Sequence, residues 1–172
     1  MTQLATTMTD DGSQLAIRML RSGTFDTLYR DVMSMVDSLA SYLDGPGRAA
    51  SKRLPARAAK DYAILARELT AGAMRVANTV LALRGIREGA VSFTKGMAEL
   101  KAKETTAVHR FAMTSTEGLP DGLLEFVVRC EELRSRAARL IDSLGNEGRT
   151  RDNPVHAALG RLGEAFSPAP RM

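Results

Sequence analysis

The sequence predicts an all-α fold, an antiparallel three-helix bundle with one short extra helix and flexible termini, and three observations carry that prediction. Apolar residues recur at steps of three and four over three long stretches, the spacing that gathers them on one face of an α-helix. The chain is poor in aromatics (5%, no Trp) but carries nine Met and many Ala. That composition suits closely packed helices better than sheets, which favour Val, Ile, Tyr and Phe. Gly and Pro cluster between the periodic stretches, where helices stop.

At 172 residues the chain is long enough for one domain with a substantial core, since a domain near 150 residues buries roughly two thirds of its unfolded surface. Residues 1–23 read as a flexible arm, with Thr, Asp, Gly and Ser around one short apolar patch at Leu15–Leu20. The bundle domain is expected over 24–145. Its first helix starts at Thr24 as N-cap and aligns Phe25, Leu28, Val32, Met35, Val36, Leu39, Tyr42 and Leu43 on one face. Asp44-Gly-Pro-Gly47 ends it, because two glycines and a proline continue a helix only at a cost of kilocalories per mole. Arg48 to Leu54 reads as a turn of helix.

Pro55 restarts the chain where a first helical turn tolerates proline. Tyr62, Leu65, Leu69, Val76, Val80 and Leu83 hold the stripe of the second long helix, with Gly72 or Ala73 placed for a close helix crossing. Gly85 weakens the end and Gly89 stops it. Residues 92–118 read as a short helix followed by a loop. Pro120 then opens the third long helix, whose apolar positions Leu123, Phe126, Val127, Cys130, Leu133, Ala137, Leu140, Ile141 and Leu144 form a heptad-like seam that Gly145 closes. The three long helices are expected to pack up-down-up. Residues 146–172 read as a flexible tail in which Val155, Leu159, Leu162 and Phe166 line one side of a helix too short to be stable alone, a pattern that suits folding on a partner.

With 44% hydrophobic and 26% charged residues, composition excludes a wholly disordered chain. No apolar run approaches the roughly 20 residues needed to span a bilayer, and the N-terminus lacks the basic and apolar parts of a signal peptide. A cytoplasmic protein with no membrane contact is expected. The single cysteine, Cys130, fits a reducing compartment. The net charge, 24 − 20 = +4, permits nucleic-acid binding without calling for it.

Chemistry-bearing motifs are scarce. Gly45-Pro-Gly47-Arg-Ala-Ala50 matches a loose dinucleotide fingerprint, but a helix precedes it where the fingerprint needs a strand, so it reads as a turn. Phosphate-loop and nucleophile-elbow signatures are missing. Cys130 would need His109 or His156 beside it to act as a nucleophile, yet it falls on the apolar seam and reads as a buried core residue. The methionines Met33, Met35 and Met74 read as core filling. No catalytic residue, metal ligand or cofactor is implied. The one dense basic run, Arg48, Lys52, Arg53, Arg57 and Lys60, lies next to a helix start, where the positive end of the helix dipole disfavours it. That cost points to use by an acidic partner. A small basic nucleic-acid-associated protein is the alternative, although no stacking aromatics interleave with the cations.

Tyr42-Leu-Asp-Gly-Pro-Gly-Arg48, preceded by Leu28-Tyr-Arg-Asp-Val-Met33 and followed by Ser51-Lys-Arg-Leu-Pro55 and the helix that ends at Arg87-Glu-Gly89, resembles the alphaproteobacterial RcdA (regulator of CtrA degradation) family. The similarity covers about residues 24–145. It departs in the second helix, where Ala71-Gly-Ala-Met74 and Val76-Ala-Asn78 replace a more aromatic and Leu-rich stretch. The resemblance implies a homodimeric, non-enzymatic adaptor for the ClpXP protease that acts in the cell cycle. Such an adaptor tethers cargo such as transcriptional regulators to a protease primed by a response-regulator-like partner, and gathers at a cell pole. Partner contacts are expected at Asp44, Arg48, Lys52 and Arg53, and in the tail at Val155, Leu159, Leu162 and Phe166.

Overall fold

A computed structural model describes residues 16–106 and 117–147. The described residues are helical, with no strand. After a helical stretch at 16–20 come α1 (Gly23–Asp44), α2 (Pro46–Ser51), α3 (Ala56–Arg87), α4 (Phe93–Thr106) and α5 (Asp121–Glu147). The periodic stripes are the core: Phe25, Leu28, Val32, Met35 and Leu39 of α1, Leu65, Leu69, Val76, Val80 and Leu83 of α3, and Leu123, Cys130, Leu133, Ala137, Ile141 and Leu144 of α5 are all buried together. No charged side chain is buried with them among the described residues. Ala16 and Leu20 join this core, so the packed unit reaches into the stretch 16–23 that the sequence pattern assigns to the arm.

Cross-helix contacts fix the directions. At one end Arg84 of α3 donates to the Tyr29 hydroxyl of α1 at 3.0 Å, and Arg87 pairs with Asp26 while its guanidinium stacks over Phe25 at 5.1 Å. At the other end Gly47, just past α1, lies against Tyr62 near the start of α3. The two helices are therefore antiparallel. Helix α5 also runs against α1, because the Tyr42 ring packs tilted against Phe126 with centroids 5.3 Å apart while Arg136 bonds Asp31 at 2.7 Å. It follows that α3 and α5 run in the same direction, and the expected up-down-up order gives way to up-down-down. Helix α4 lies at the end of the bundle where α3 and α5 finish, with Gly96 against Ile86 of α3 and Lys101 reaching Gly145 of α5.

Helix ends follow local chemistry, with three shifts from expectation. Helix α1 starts at Gly23 with Ser22 as N-cap, and Thr24 lies inside the first turn. Pro46, expected to stop a helix, also starts the next one, because its fixed φ suits the first helical position. Gly145 sits inside α5, which continues to Glu147. The end of α3 is as expected. Gly89, at φ 76°, allows a Schellman closure in which Ala90 N–H bonds Gly85 C=O at 2.9 Å and Gly89 N–H bonds Ile86 C=O at 3.1 Å. Met35 is core, Met33 is half-buried, and Met74 is half exposed at 50%, so the core reading fails for Met74. No described helix is long and apolar enough to cross a membrane.

Candidate partner-binding surface

The candidate residues of the Gly-Pro-Gly region gather at the bundle end where α1 stops and α3 starts. Asp44, Arg48, Lys52 and Arg53 are all exposed, as are Arg57 and Lys60 on the first turns of α3. None of these five cations has an ion-pair partner among the described residues. The first turn of α3 has no acidic residue to offset its dipole, so Arg57 and Lys60 sit at the positive end of a 32-residue helix. No intrachain ion pair holds these cations among the described residues, and Arg57 and Lys60 have no favourable dipole either. Between α2 and α3 lies an open groove whose lining includes Leu43, Arg48, Ala66, Arg67 and Ala71.

What fixes this surface lies beneath it. A Cβ at Gly47 would fall 2.6 Å from the Tyr62 hydroxyl, 2.7 Å from Cε1 of Tyr42 and 2.9 Å from the Tyr42 carbonyl oxygen. Only glycine lets α2 fold down onto the two tyrosines, and that packing aims Arg48, Lys52 and Arg53 outward. Gly122, in the first turn of α5, clears the other side of the same ring, since a Cβ there would lie 2.8 Å from Tyr42 Cε2. The Ser51 hydroxyl donates to the Arg48 carbonyl at 3.0 Å and tightens the end of α2. Burial pushes the Tyr42 hydroxyl pKa above its usual value, opposed by the Leu123 backbone N–H and aided by the charge of Glu125. Burial, then the neighbouring Tyr42, does the same for Tyr62.

Sequence reasoning named the cations and missed the tyrosine platform under them. The available signal was a pair of glycines, Gly47 and Gly122, each at a helix start where a larger residue is usual. The tail candidates Val155, Leu159, Leu162 and Phe166, together with His109 and His156, lie outside the described residues. Cys130 is 2% exposed, and its thiol is pushed up to about 11 by burial first and by Glu131 second, against the pull of Arg75 and Arg134. A thiol so placed is not a nucleophile in the folded chain. Among the described residues no group of three or more His, Cys, Asp or Glu is placed to hold a metal ion.

Residues 16–166 match the family described as "Protein of unknown function (DUF1465)". The crystal structure of RcdA from Caulobacter crescentus CB15 is similar at 33% sequence identity and a TM-score of 0.60, over 72% of this chain and 92% of that one. The chain belongs to the RcdA family. Among curated proteins, none matches it. The family's helical fold is thus shared, and the Tyr42–Arg48 motif that carries the resemblance is the segment packed on the tyrosine platform. Membership of this family favours a protein that binds partners over an enzyme.

Proposed function

We propose that this chain is a non-enzymatic adaptor that tethers cargo, such as cell-cycle transcriptional regulators, to the ClpXP protease with the help of a response-regulator-like partner. The observation that carries the reading is the likeness to RcdA across 92% of that chain at 33% identity. The exposed, unpaired cations of α2 and the start of α3 are compatible with it, since an adaptor needs a charged surface held on a rigid scaffold. In this reading the bundle acts as a homodimer, in the cytoplasm and concentrated at a cell pole. The basic end takes an acidic partner through Arg48, Lys52 and Arg53, with Asp44 at its edge. Val155, Leu159, Leu162 and Phe166 of the tail supply a second, weaker contact. Joining two weak contacts in one chain raises the effective concentration of cargo at the protease without a new strong interface.

The test is binding of the purified chain to ClpX, to response-regulator-like proteins and to cargo, with and without Arg48→Glu and Arg53→Glu together. The expected result is a loss of about tenfold or more in affinity for one of these partners, growing as salt is lowered. Unchanged binding to all of them would remove the basic end from the mechanism.

A further inference from the structure

The groove between α2 and α3 has a volume of about 580 Å³, within the roughly 300–1,000 Å³ of small-molecule sites. Two guanidinium groups belong to its lining, Arg48 from α2 and Arg67 from α3, and no carboxylate does. Both arginines are exposed, and neither has an ion-pair partner among the described residues. The groove therefore carries two positive charges that nothing in its own lining neutralises.

A third donor lies beneath them. Tyr62 lines the groove at 7% exposure, and its hydroxyl is one of two buried side-chain polar atoms without a hydrogen-bond partner among the described residues. The other, on Tyr42, is not part of the lining. Buried hydroxyls are as a rule hydrogen-bonded, so an unpaired one marks a place for an acceptor. This one rests against Gly47, the residue next to Arg48. The remaining hydroxyls of the groove are already committed: Ser51 donates to the Arg48 carbonyl at 3.0 Å and Thr70 to the Ala66 carbonyl at 2.8 Å. Leu43, Ala66 and Ala71 supply the apolar part of the lining.

We propose that this groove binds a small phosphate monoester, with its dianionic group held by Arg48, Arg67 and the Tyr62 hydroxyl and its carbon part resting on Leu43, Ala66 and Ala71. A carboxylate, with one charge and two oxygens, is matched by a single guanidinium and leaves the second unpaired. A phosphate monoester carries nearly two charges at neutral pH and three free oxygens, enough for both arginines and the hydroxyl. Burial raises the Tyr62 pKa, which keeps that hydroxyl protonated and able to donate. Because the hydroxyl is covered in the free chain, its bond to the ligand forms as the short α2 segment shifts outward, while the two exposed arginines hold the ligand from the start. The site goes beyond the adaptor reading and does not depend on it, since Tyr62 and Arg67 have no part in that reading.

The experiment is isothermal titration calorimetry of the full chain with propyl phosphate at constant ionic strength, with inorganic phosphate, propionate and a phosphoserine peptide as the comparison ligands. The expected result is saturable binding of propyl phosphate at one site per chain, tighter than inorganic phosphate and propionate, and weakening as pH falls below about 6, where the ester takes up its second proton. Arg48→Ala and Arg67→Ala should each raise Kd about tenfold or more. Both positions are exposed, so the fold is kept. Tyr62→Phe should raise Kd about three- to tenfold while leaving the Tm of the free chain unchanged or higher, because it removes an unpartnered group. Lys95→Ala, at an exposed position on α4, should change nothing. No saturable binding of propyl phosphate up to about 10 mM would overturn the site. Equal losses in Lys95→Ala and the arginine variants would leave an adventitious ion only and overturn it as well. Propionate binding as tightly as propyl phosphate would overturn the dianion, inorganic phosphate doing so would overturn the apolar floor, and an unchanged Kd in Tyr62→Phe would overturn the part of that hydroxyl. A phosphoserine peptide binding tenfold more tightly than propyl phosphate would overturn the small-molecule assignment.

Discussion

Replacing Gly47 by alanine tests whether the tyrosine platform sets the Gly-Pro-Gly segment. In a helix, Ala for Gly gains about 0.5–1 kcal/mol of backbone entropy. At position 47 the new methyl would sit 2.6 Å from the Tyr62 hydroxyl, 2.7 Å from the Tyr42 ring and 2.9 Å from the Tyr42 carbonyl. The first two neighbours are side chains that yield by shifting. The carbonyl belongs to the last turn of α1 and yields only if that turn moves. Overpacking of this kind costs about 1–3 kcal/mol, and we place this case at the upper end, for a net loss of about 2 kcal/mol. For a chain of 150–250 residues that lowers Tm by about 4–8 °C. Gly85→Ala is the internal control, because no atom lies within 4 Å of its Cβ position. It should raise Tm by about 1–4 °C. Thermal unfolding by far-UV circular dichroism measures both. Adding Tyr62→Phe to Gly47→Ala removes the nearest atom and should recover part of the loss, a coupling expected between residues in contact. If Gly47→Ala stabilised the chain as Gly85→Ala does, the platform would not be what selects glycine there.

Other consequences are open to direct measurement. Gly96→Ala would set a methyl 2.5 Å from two carbons of Ile86, which is 2% exposed, so it should destabilise by about 1–3 kcal/mol in denaturant unfolding. A thiol reagent should label Cys130 only after unfolding, and labelling at the rate of a free thiol in the native chain would contradict its burial. The unfolded Cys130 thiol ionises near its ordinary 9.0 and the folded one at about 11, so unfolding releases a proton in that window. Its contribution is complete below pH 9 and is lost as pH rises toward 11, and Cys130→Ala should flatten the pH dependence there. Arg87→Ala removes both the pair with Asp26 and the stacking over Phe25, at a cost of about 1 kcal/mol.

Much of the bundle was legible because burial writes itself as periodicity. Val32, Leu69 and Leu133 occupy the core positions that their spacing predicts. Direction is not written that way. A stripe looks the same whichever way its helix runs, so the codirectional α3 and α5 followed only from contacts such as Arg136 with Asp31. Gly45-Pro-Gly47 read as a stop because glycine and proline disfavour helix interiors, yet Pro46 at a first position starts α2. Met74 read as core because methionine usually fills gaps, but it lies on the exposed side of α3. The exposed cations could be named from the sequence. The tyrosines that orient them could not, since Tyr42 and Tyr62 meet only through tertiary packing around Gly47 and Gly122.

The central claim is that this chain delivers cargo to a protease. It is tested most directly by the rate at which reconstituted ClpXP degrades candidate cell-cycle regulators, with and without the chain and a response-regulator-like partner. The adaptor reading expects degradation of at least one cargo to accelerate only when the chain is present, and the gain to disappear when residues 146–172 are deleted or Arg48 and Arg53 are reversed in charge. Degradation rates that do not respond to the chain, across those regulators and priming partners, would contradict it.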